Sequence, residues 1–149
     1  NVSFLTGRST VILPYLFSEL DKAKIPIDFM LIDGDHSAAG IISDIACLLA
    51  YVPKKPLFVA LHDSFNPECR RGMLEANWEA SPYCHWVDID FVPGRTIEHG
   101  GPFNGELWGG LAVAYFLPAI RSGALRISRT AEQMFQRLSA PKASTTSAR

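Results

Sequence analysis

Two short polar segments carry most of the ionisable chemistry of this sequence. The first, Ile-Asp-Gly-Asp-His-Ser, supplies Asp33, Asp35 and His36, and the second, Leu-His-Asp-Ser, supplies His62 and Asp63. Carboxylate and imidazole groups in one place can bind a divalent cation such as Mg²⁺ or Mn²⁺. One of them can instead act as a general base towards a substrate hydroxyl. The alternative without catalysis is that Asp33 and Asp63 cap the following helices, because aspartate is a favoured N-cap residue.

Both polar segments directly follow apolar runs that predict buried β-strands. Residues 27–32 (IDFMLI) and 57–61 (LFVAL) are continuously apolar or nearly so, which is typical of strands buried on both faces of a parallel sheet. Residues 38–51 between them have apolar side chains at helical spacing, with Ser37 as the expected N-cap. A crossover helix between parallel strands brings their carboxyl ends side by side, so the two polar segments are expected to converge.

The rest of the chain continues the alternation of strands and helices. The patterns predict strands at 2–5, at 84–92 near a sheet edge and at 107–117, helices at 10–23, about 67–80 and near 129–138, and a glycine-rich loop at 94–105. These elements indicate an α/β domain with a mostly parallel sheet. Residues 139–149 are small and polar, and we expect this tail to be disordered.

Three charged residues on predicted helices are expected to lie outside the site. Arg70 and Arg71 follow the second polar segment and are expected on a solvated helix face. Asp44 follows the first, and we expect it to face solvent or to cap a neighbouring element.

Composition restricts the class of protein. The chain has 149 residues, 48% of them apolar, which suits one packed domain. Its net charge of −1 and its lack of Lys/Arg runs argue against nucleic-acid binding, and no 18-residue apolar stretch predicts a membrane span. The three cysteines lack CxxC spacing, which favours reduced thiols in a cytoplasmic protein over a disulfide framework. The sequence leaves the oligomeric state open, a homo-oligomer included.

The stretch "IDFMLIDGDHSAAGIISDIACLL…PLFVALHDSF" closely resembles the central part of class I S-adenosylmethionine-dependent methyltransferases. The nearest group is the small-molecule O-methyltransferases, whose fourth strand ends in an "IDGDH"-like tip and whose fifth ends in "HD", "DD" or "DN". The opening "FLTGRSTVILPYL" resembles the third strand of that family, its Gly-x-Ser turn and the next helix, and "ELWGGLAVAYFL" resembles its last strand. The resemblance covers about residues 2 to 117. It implies a Rossmann-like, mostly parallel sheet in the order 3-2-1-4-5-7-6, with helices on both faces and an antiparallel terminal strand.

The same resemblance implies which residues bind the cofactor, S-adenosyl-L-methionine. Gly7, Arg8 and Ser9 match the turn near the adenine. Asp33 matches a position at the tip of the fourth strand, where both cofactor and metal are bound, and His36 matches a contact to cofactor or substrate.

The resemblance also implies a metal site and a base. Asp33, His62 and Asp63 match the metal-binding positions of the metal-dependent members, and Asp35 matches a base or a substrate-facing carboxylate. His62 departs from the family pattern, because metal-dependent members more often have a carboxylate there. An imidazole suits Mg²⁺ less well than a carboxylate does. Since imidazole exchanges protons near neutral pH, His62 is a candidate for the catalytic base as well.

Two features of the family are missing from this sequence. No glycine-rich loop follows an early strand, because the pairs Gly100-Gly101 and Gly109-Gly110 come too late, and no acidic residue stands where the ribose hydroxyls would bind. Position 1 is Asn rather than Met. We therefore expect residues 1–138 to be the C-terminal part of a methyltransferase domain that lacks strands 1 and 2.

The function implied is the transfer of a methyl group from S-adenosylmethionine to the hydroxyl of a small molecule by in-line displacement. A divalent cation or a base would lower the proton affinity of the attacking oxygen. Two alternatives stay open. The Asp/His residues could serve a metal-dependent hydrolase or another α/β enzyme, or the chain could be a non-catalytic binding domain that kept the sheet.

Overall fold

The computed structural model describes residues 2–98, 100 and 102–140, so that the predicted tail from residue 141 onward lies outside the described residues. The α-helices are α1 (Ser9–Lys22), α2 (Ala38–Leu49), α3 (Pro67–Glu75) and α4 (Glu132–Ser139), and a 3₁₀ helix spans Trp78–Ala80. The strands are β1 (Phe29–Ile32), β2 (Leu57–His62), β3 (Cys84–Val92), β4 (Arg95–Thr96), β5 (Leu107–Trp108), β6 (Leu111–Phe116) and β7 (Arg126–Ser128).

Five of the strands form one mixed sheet in the order β1-β2-β6-β3-β7. β1 runs parallel to β2, and β3 runs parallel to β7. β6 is antiparallel to both β2 and β3, so it alone is reversed among the five. β4 and β5 form a separate antiparallel pair. The predicted α/β class is confirmed, with a sheet that is partly parallel.

The hydrophobic core lies between this sheet and helices α2 and α3. Ile41, Ile45 and Leu48 of α2 are at most 2% exposed and belong to the same buried cluster as Val59 and Leu61 of β2. α2 begins as predicted, because the Ser37 hydroxyl accepts a hydrogen bond from the Gly40 amide at 3.0 Å. The core therefore fixes β1 and β2 side by side, with α2 as the crossover between them.

The other face of β1 is open. Phe29 and Leu31 are 57% and 54% exposed, and Phe91 of β3 is 51% exposed. β1 is an edge strand, and α2 and α3 cover the opposite face, so alternate side chains of β1 point away from the core. The prediction that residues 27–32 are buried on both faces is therefore wrong for β1.

Residues 2–5 do not form the predicted strand. They have no regular structure, and Val2 and Phe4 are 80% and 91% exposed. A strand needs a neighbour to take up its backbone hydrogen bonds, and no described strand lies beside this segment. The segment is apolar, but its sequence pattern does not show whether a neighbouring strand is available to pair with it.

The predicted strand at 107–117 is interrupted. Gly109 and Gly110 have φ values of +77° and +83°, and they separate β5 from β6. The predicted helix at 67–80 ends at Glu75, and the chain resumes as the 3₁₀ helix. Both differences arise at single backbone positions, which hydrophobic periodicity does not report.

Gly110 is expected to tolerate alanine much less well than Gly109. Both positions have positive φ, but a Cβ at Gly110 would lie 2.8 Å from Ser64 Oγ and 2.9 Å from Val92 O, whereas a Cβ at Gly109 meets nothing within 4 Å. We expect Gly109→Ala to cost about 1–2 kcal/mol from backbone strain alone, and Gly110→Ala to cost about 1–3 kcal/mol more. Urea unfolding measures both. Equal losses would contradict the close packing at Gly110.

The stability of the protein should fall at alkaline pH because of Cys84, which is fully buried. Burial raises the pKa of this thiol to about 12. Since the unfolded thiol titrates near 8.5, the contribution of Cys84 is complete below that pH and is lost as the pH rises towards 12. We expect the stability advantage of wild type over Cys84→Ala to shrink by about 2 kcal/mol between pH 7.5 and 10. A difference that does not change with pH would refute this.

Candidate functional site

The two polar segments meet at the carboxyl ends of β1 and β2. His36 Nε2 lies 3.6 Å from Asp33 Oδ1 and 3.3 Å from Asp63 Oδ2. His62 Nδ1 lies 3.3 Å and 3.1 Å from the same two oxygens. Two carboxylate oxygens therefore alternate with two imidazole nitrogens. We call these four residues, Asp33, His36, His62 and Asp63, the Asp/His cluster.

The parallel register of β1 and β2 explains why the cluster forms. Ile32 pairs with Leu61, so the strands end in step, and the residues that follow them leave the sheet at the same edge. Asp33 and His36 come from the turn before α2, while His62 and Asp63 come from the end of β2. Thus the sequence-predicted convergence of the two segments is what the structure has.

Asp63 is held in an uncommon backbone conformation, with φ at +58°. Its Oδ1 accepts a hydrogen bond from the Gly109 amide at 2.8 Å, and its own amide donates to Gly110 O at 3.1 Å. These contacts leave Oδ2 for the two histidines, and the side chain is only 3% exposed. Strained positions that the surrounding structure fixes in this way cluster at functional sites.

Aromatic side chains flank one side of the cluster. The Trp108 ring lies 5.5 Å from the His36 ring and 5.7 Å from the Phe103 ring, measured between centroids. The Trp108 indole N–H donates to Glu106 Oε2 at 2.7 Å, which fixes the ring. The segment Trp108–Gly110 therefore touches both halves of the cluster, His36 through the indole and Asp63 through the backbone.

Asp35 does not join the cluster. Its carboxylate accepts hydrogen bonds from the Ser37 amide at 2.9 Å and the Ser37 hydroxyl at 3.1 Å. It lines a neighbouring cleft of about 600 Å³ between the start of α1 and the start of α2. We call this the α1–α2 cleft. It is lined by four residues that the sequence predicted for the site, Gly7, Arg8, Ser9 and Asp35, and by Thr10, Gly34, Gly40, Ser43 and Asp44.

The predicted site residues thus separate into two adjacent groups. The first is the Asp/His cluster, and the second is the α1–α2 cleft, which holds Gly7, Arg8, Ser9 and Asp35. The turn between Asp33 and Asp35 belongs to both, so one short segment joins the cluster to the cleft.

Asp44 is a residue of the cleft that sequence reasoning missed. It is 8% exposed, and it accepts a hydrogen bond from the Ser9 hydroxyl. The signal in the sequence was its spacing, because Asp44 lies three residues after Ile41 and one before Ile45, on the buried stripe of α2.

Arg70 is a buried residue close to the cluster, and the sequence analysis did not predict its burial. It is 1% exposed, and its guanidinium donates to Asp90 Oδ1 and to Glu132 Oε2, both at 2.7 Å. It also donates to the Ser64 carbonyl at 3.4 Å, next to Asp63. The expected solvated face holds for Arg71, which is exposed, but is wrong for Arg70.

The thiol of Cys69 lies close to the cluster but is not expected to be reactive. Burial, together with the nearby carboxylates of Asp63 and Asp35, raises its pKa to about 11. The thiol therefore stays protonated at neutral pH and offers no thiolate ligand.

No protein-family model matches the chain, and no curated protein or solved structure is significantly similar to it. Among the described residues, none of the helices has the length and apolar character that crossing a membrane requires.

Proposed function

We propose that this chain is part of an S-adenosylmethionine-dependent methyltransferase that transfers a methyl group to a hydroxyl of a small molecule. The observation that carries the proposal is the convergence of Asp33, His36, His62 and Asp63 within 3.1–3.6 Å next to the α1–α2 cleft. The cluster would serve the acceptor hydroxyl. The cleft would take the adenosine part of the cofactor, which supplies the methyl group as a sulfonium.

The order of the strands supports this proposal. The resemblance matches β1, β2 and β6 to strands 4, 5 and 7 of the family, and we assign β3, which lies between β2 and β6 in the chain, to the place of strand 6. The observed order β1-β2-β6-β3, with β6 reversed, is then the 4-5-7-6 half of the sheet that the resemblance implies. The free edge of β1 and its open face lie where strands 1 and 2 and their helices would pack.

The donor set of the cluster fits a divalent cation. One ligand atom each from Asp33, His36 and Asp63 lies within 4.8 Å of the others. Two carboxylate oxygens and one imidazole nitrogen suit a cation such as Mn²⁺, and the Asp63 side chain is preoriented by Gly109. A cation held there would stabilise negative charge on the acceptor oxygen.

His62 is then free to act as the base. Its Nδ1 is buried, has no hydrogen-bond partner among the described residues, and lies beside two carboxylate oxygens. Those anions favour a proton on Nδ1, which leaves the lone pair on Nε2. The side chain is 43% exposed, so this edge of the ring can accept the proton of a substrate hydroxyl.

A second candidate function is metal-dependent hydrolysis. The observation that favours it is the His62 imidazole beside the Asp33, His36 and Asp63 group. A carboxylate and imidazole ligand set can bind Zn²⁺ or Mn²⁺, and His62 could assist a water molecule that the cation activates. Such an enzyme would not need the α1–α2 cleft for an adenosine.

Calorimetric titration with S-adenosylhomocysteine tests the proposed cofactor. It should be run on this chain and on the chain extended by any residues that precede Asn1 in its reading frame. We expect saturable binding that homocysteine alone does not reproduce. Absence of binding in both forms would overturn the methyltransferase proposal and leave the hydrolase.

A further inference from the structure

Asp44 is a buried carboxylate without a cation beside it. It lies on α2 and is 8% exposed, and none of the described Lys, Arg or His residues forms an ion pair with it. Its Oδ1 accepts the hydrogen bond of the Ser9 hydroxyl, and no described residue donates to its Oδ2. Burying a charge lowers stability unless the charge is paired, so an unpaired buried carboxylate suggests a functional role.

The contact fixes the direction of the Ser9 hydroxyl. A serine hydroxyl has one proton, and Ser9 donates it to Asp44. Its remaining capacity is to accept. With Asp44 Oδ2 and the Asp35 carboxylate in the lining of the same cleft, this wall of the α1–α2 cleft offers hydrogen-bond acceptors.

The second oxygen of Asp44 lies against the turn that carries the Asp/His cluster. A Cβ at Gly34 would lie 2.8 Å from Asp44 Oδ2, so the turn between Asp33 and Asp35 approaches Asp44 closely. Asp44 therefore contacts the start of α1 through Ser9 and packs against the first polar segment through Gly34.

We propose that Asp44 is a positioning residue of the cofactor cleft: it orients Ser9 and holds the Gly7–Ser9 turn against the turn at Gly34, in the geometry that binds a ligand presenting hydrogen-bond donors. This inference rests on the proposed function, because it assigns the cleft to the adenosine part of the cofactor. The Arg8 carbonyl accepts hydrogen bonds from the amides of Val11 and Ile12, both at 2.9 Å, so hydrogen exchange of these two amides reports on the turn.

The test compares Ser9→Ala, Asp44→Leu and Asp44→Asn. Asparagine keeps an oxygen that can accept the Ser9 proton, whereas leucine has the same shape and no acceptor. Asp21→Asn, an exposed carboxylate near the other end of α1, is the matched control. Two measurements are made on the whole chain: hydrogen exchange of the Val11 and Ile12 amides, and the affinity for S-adenosylhomocysteine.

Ser9→Ala and Asp44→Leu are each expected to accelerate exchange of these amides about five- to tenfold and to weaken S-adenosylhomocysteine binding about tenfold, the worth of one hydrogen bond. Asp44→Asn should stay within about threefold of wild type for both measurements, since it keeps that bond. Unchanged exchange in Ser9→Ala and Asp44→Leu would overturn the proposal, as would an Asp44→Asn defect as large as that of leucine.

The two measurements separate this inference from the proposed function. If wild type does not bind S-adenosylhomocysteine, the methyltransferase proposal fails for this chain, and the exchange data alone decide whether Asp44 positions the turn. If Asp44→Leu does not fold, Ser9→Ala removes the donor of the same hydrogen bond, and its exchange rates then test whether this bond positions the turn.

Discussion

Replacing Asp63 by asparagine is expected to lower the affinity of the chain for Mn²⁺ at least ~100-fold while leaving the fold intact. The variant removes the charge of the carboxylate whose Oδ2 faces both histidines, the atom proposed to bind the cation. Its remaining side-chain oxygen can still accept the Gly109 amide, and asparagine tolerates the φ of +58°. Calorimetric or spin-resonance titration of Mn²⁺ measures the affinity, and thermal unfolding checks the fold.

Asp28→Asn is the matched control for this prediction. Asp28 is an exposed carboxylate just before β1, paired with Lys55 at 2.7 Å, at the end of the strand opposite to the cluster. Its loss should leave Mn²⁺ affinity unchanged. Equal affinities of wild type and Asp63→Asn would mean that the Asp/His cluster does not hold the cation.

Replacing Arg70 by methionine is expected to cost about 3–5 kcal/mol of unfolding free energy, because it leaves the carboxylate of Asp90 buried without its cation. It also removes the stacking of the guanidinium over Phe135, at 4.4 Å from the ring centroid. Arg71→Met, which affects only exposed ion pairs with Glu68 and Glu75, should change stability by less than about 1 kcal/mol. Urea unfolding measures both variants.

The double variant Arg70→Met/Asp90→Asn separates buried charge from lost packing. If the uncompensated Asp90 carboxylate causes the loss, the double variant should recover at least half of it, and further destabilisation would contradict this origin. The hydrogen bond from Arg70 lowers the pKa of Glu132. Its stabilising contribution is therefore present above the unfolded glutamate value near 4.3 and is lost as the pH falls below it.

The fold could be predicted from the sequence where the pattern is local. The strand at 84–92 and the helix after Ser37 follow directly from alternation, periodicity and a cap. What failed depended on neighbours. The apolar run at β1 predicts burial but not which faces are covered, and residues 2–5 have a strand-like composition with no strand beside them. The three-residue strand β7 was missed, because so short a segment has no readable period.

The candidate site, too, has one part that could be predicted from the sequence and one part that could not. Parallel strands of similar length bring Asp33 and Asp63 together, so their convergence could be inferred from spacing alone. The supports could not be inferred. Gly109 donates to Asp63 across 46 positions of sequence, and Arg70 reaches Glu132 across 62. Contacts at such separations depend on the complete packing of the chain, and an arginine on an amphipathic helix gives no local sign of burial.

Transfer of a labelled methyl group is the most direct test of the proposed function. S-adenosylmethionine labelled in its methyl group is incubated with Mn²⁺ and a panel of small hydroxyl compounds, using this chain and the chain extended by any preceding residues of its reading frame. We expect label on an acceptor oxygen, lost in both Asp63→Asn and His62→Ala. Label transfer that survives in these variants, or Mn²⁺-dependent ester hydrolysis without any methyl transfer, would contradict the assignment of the Asp/His cluster to methyl transfer.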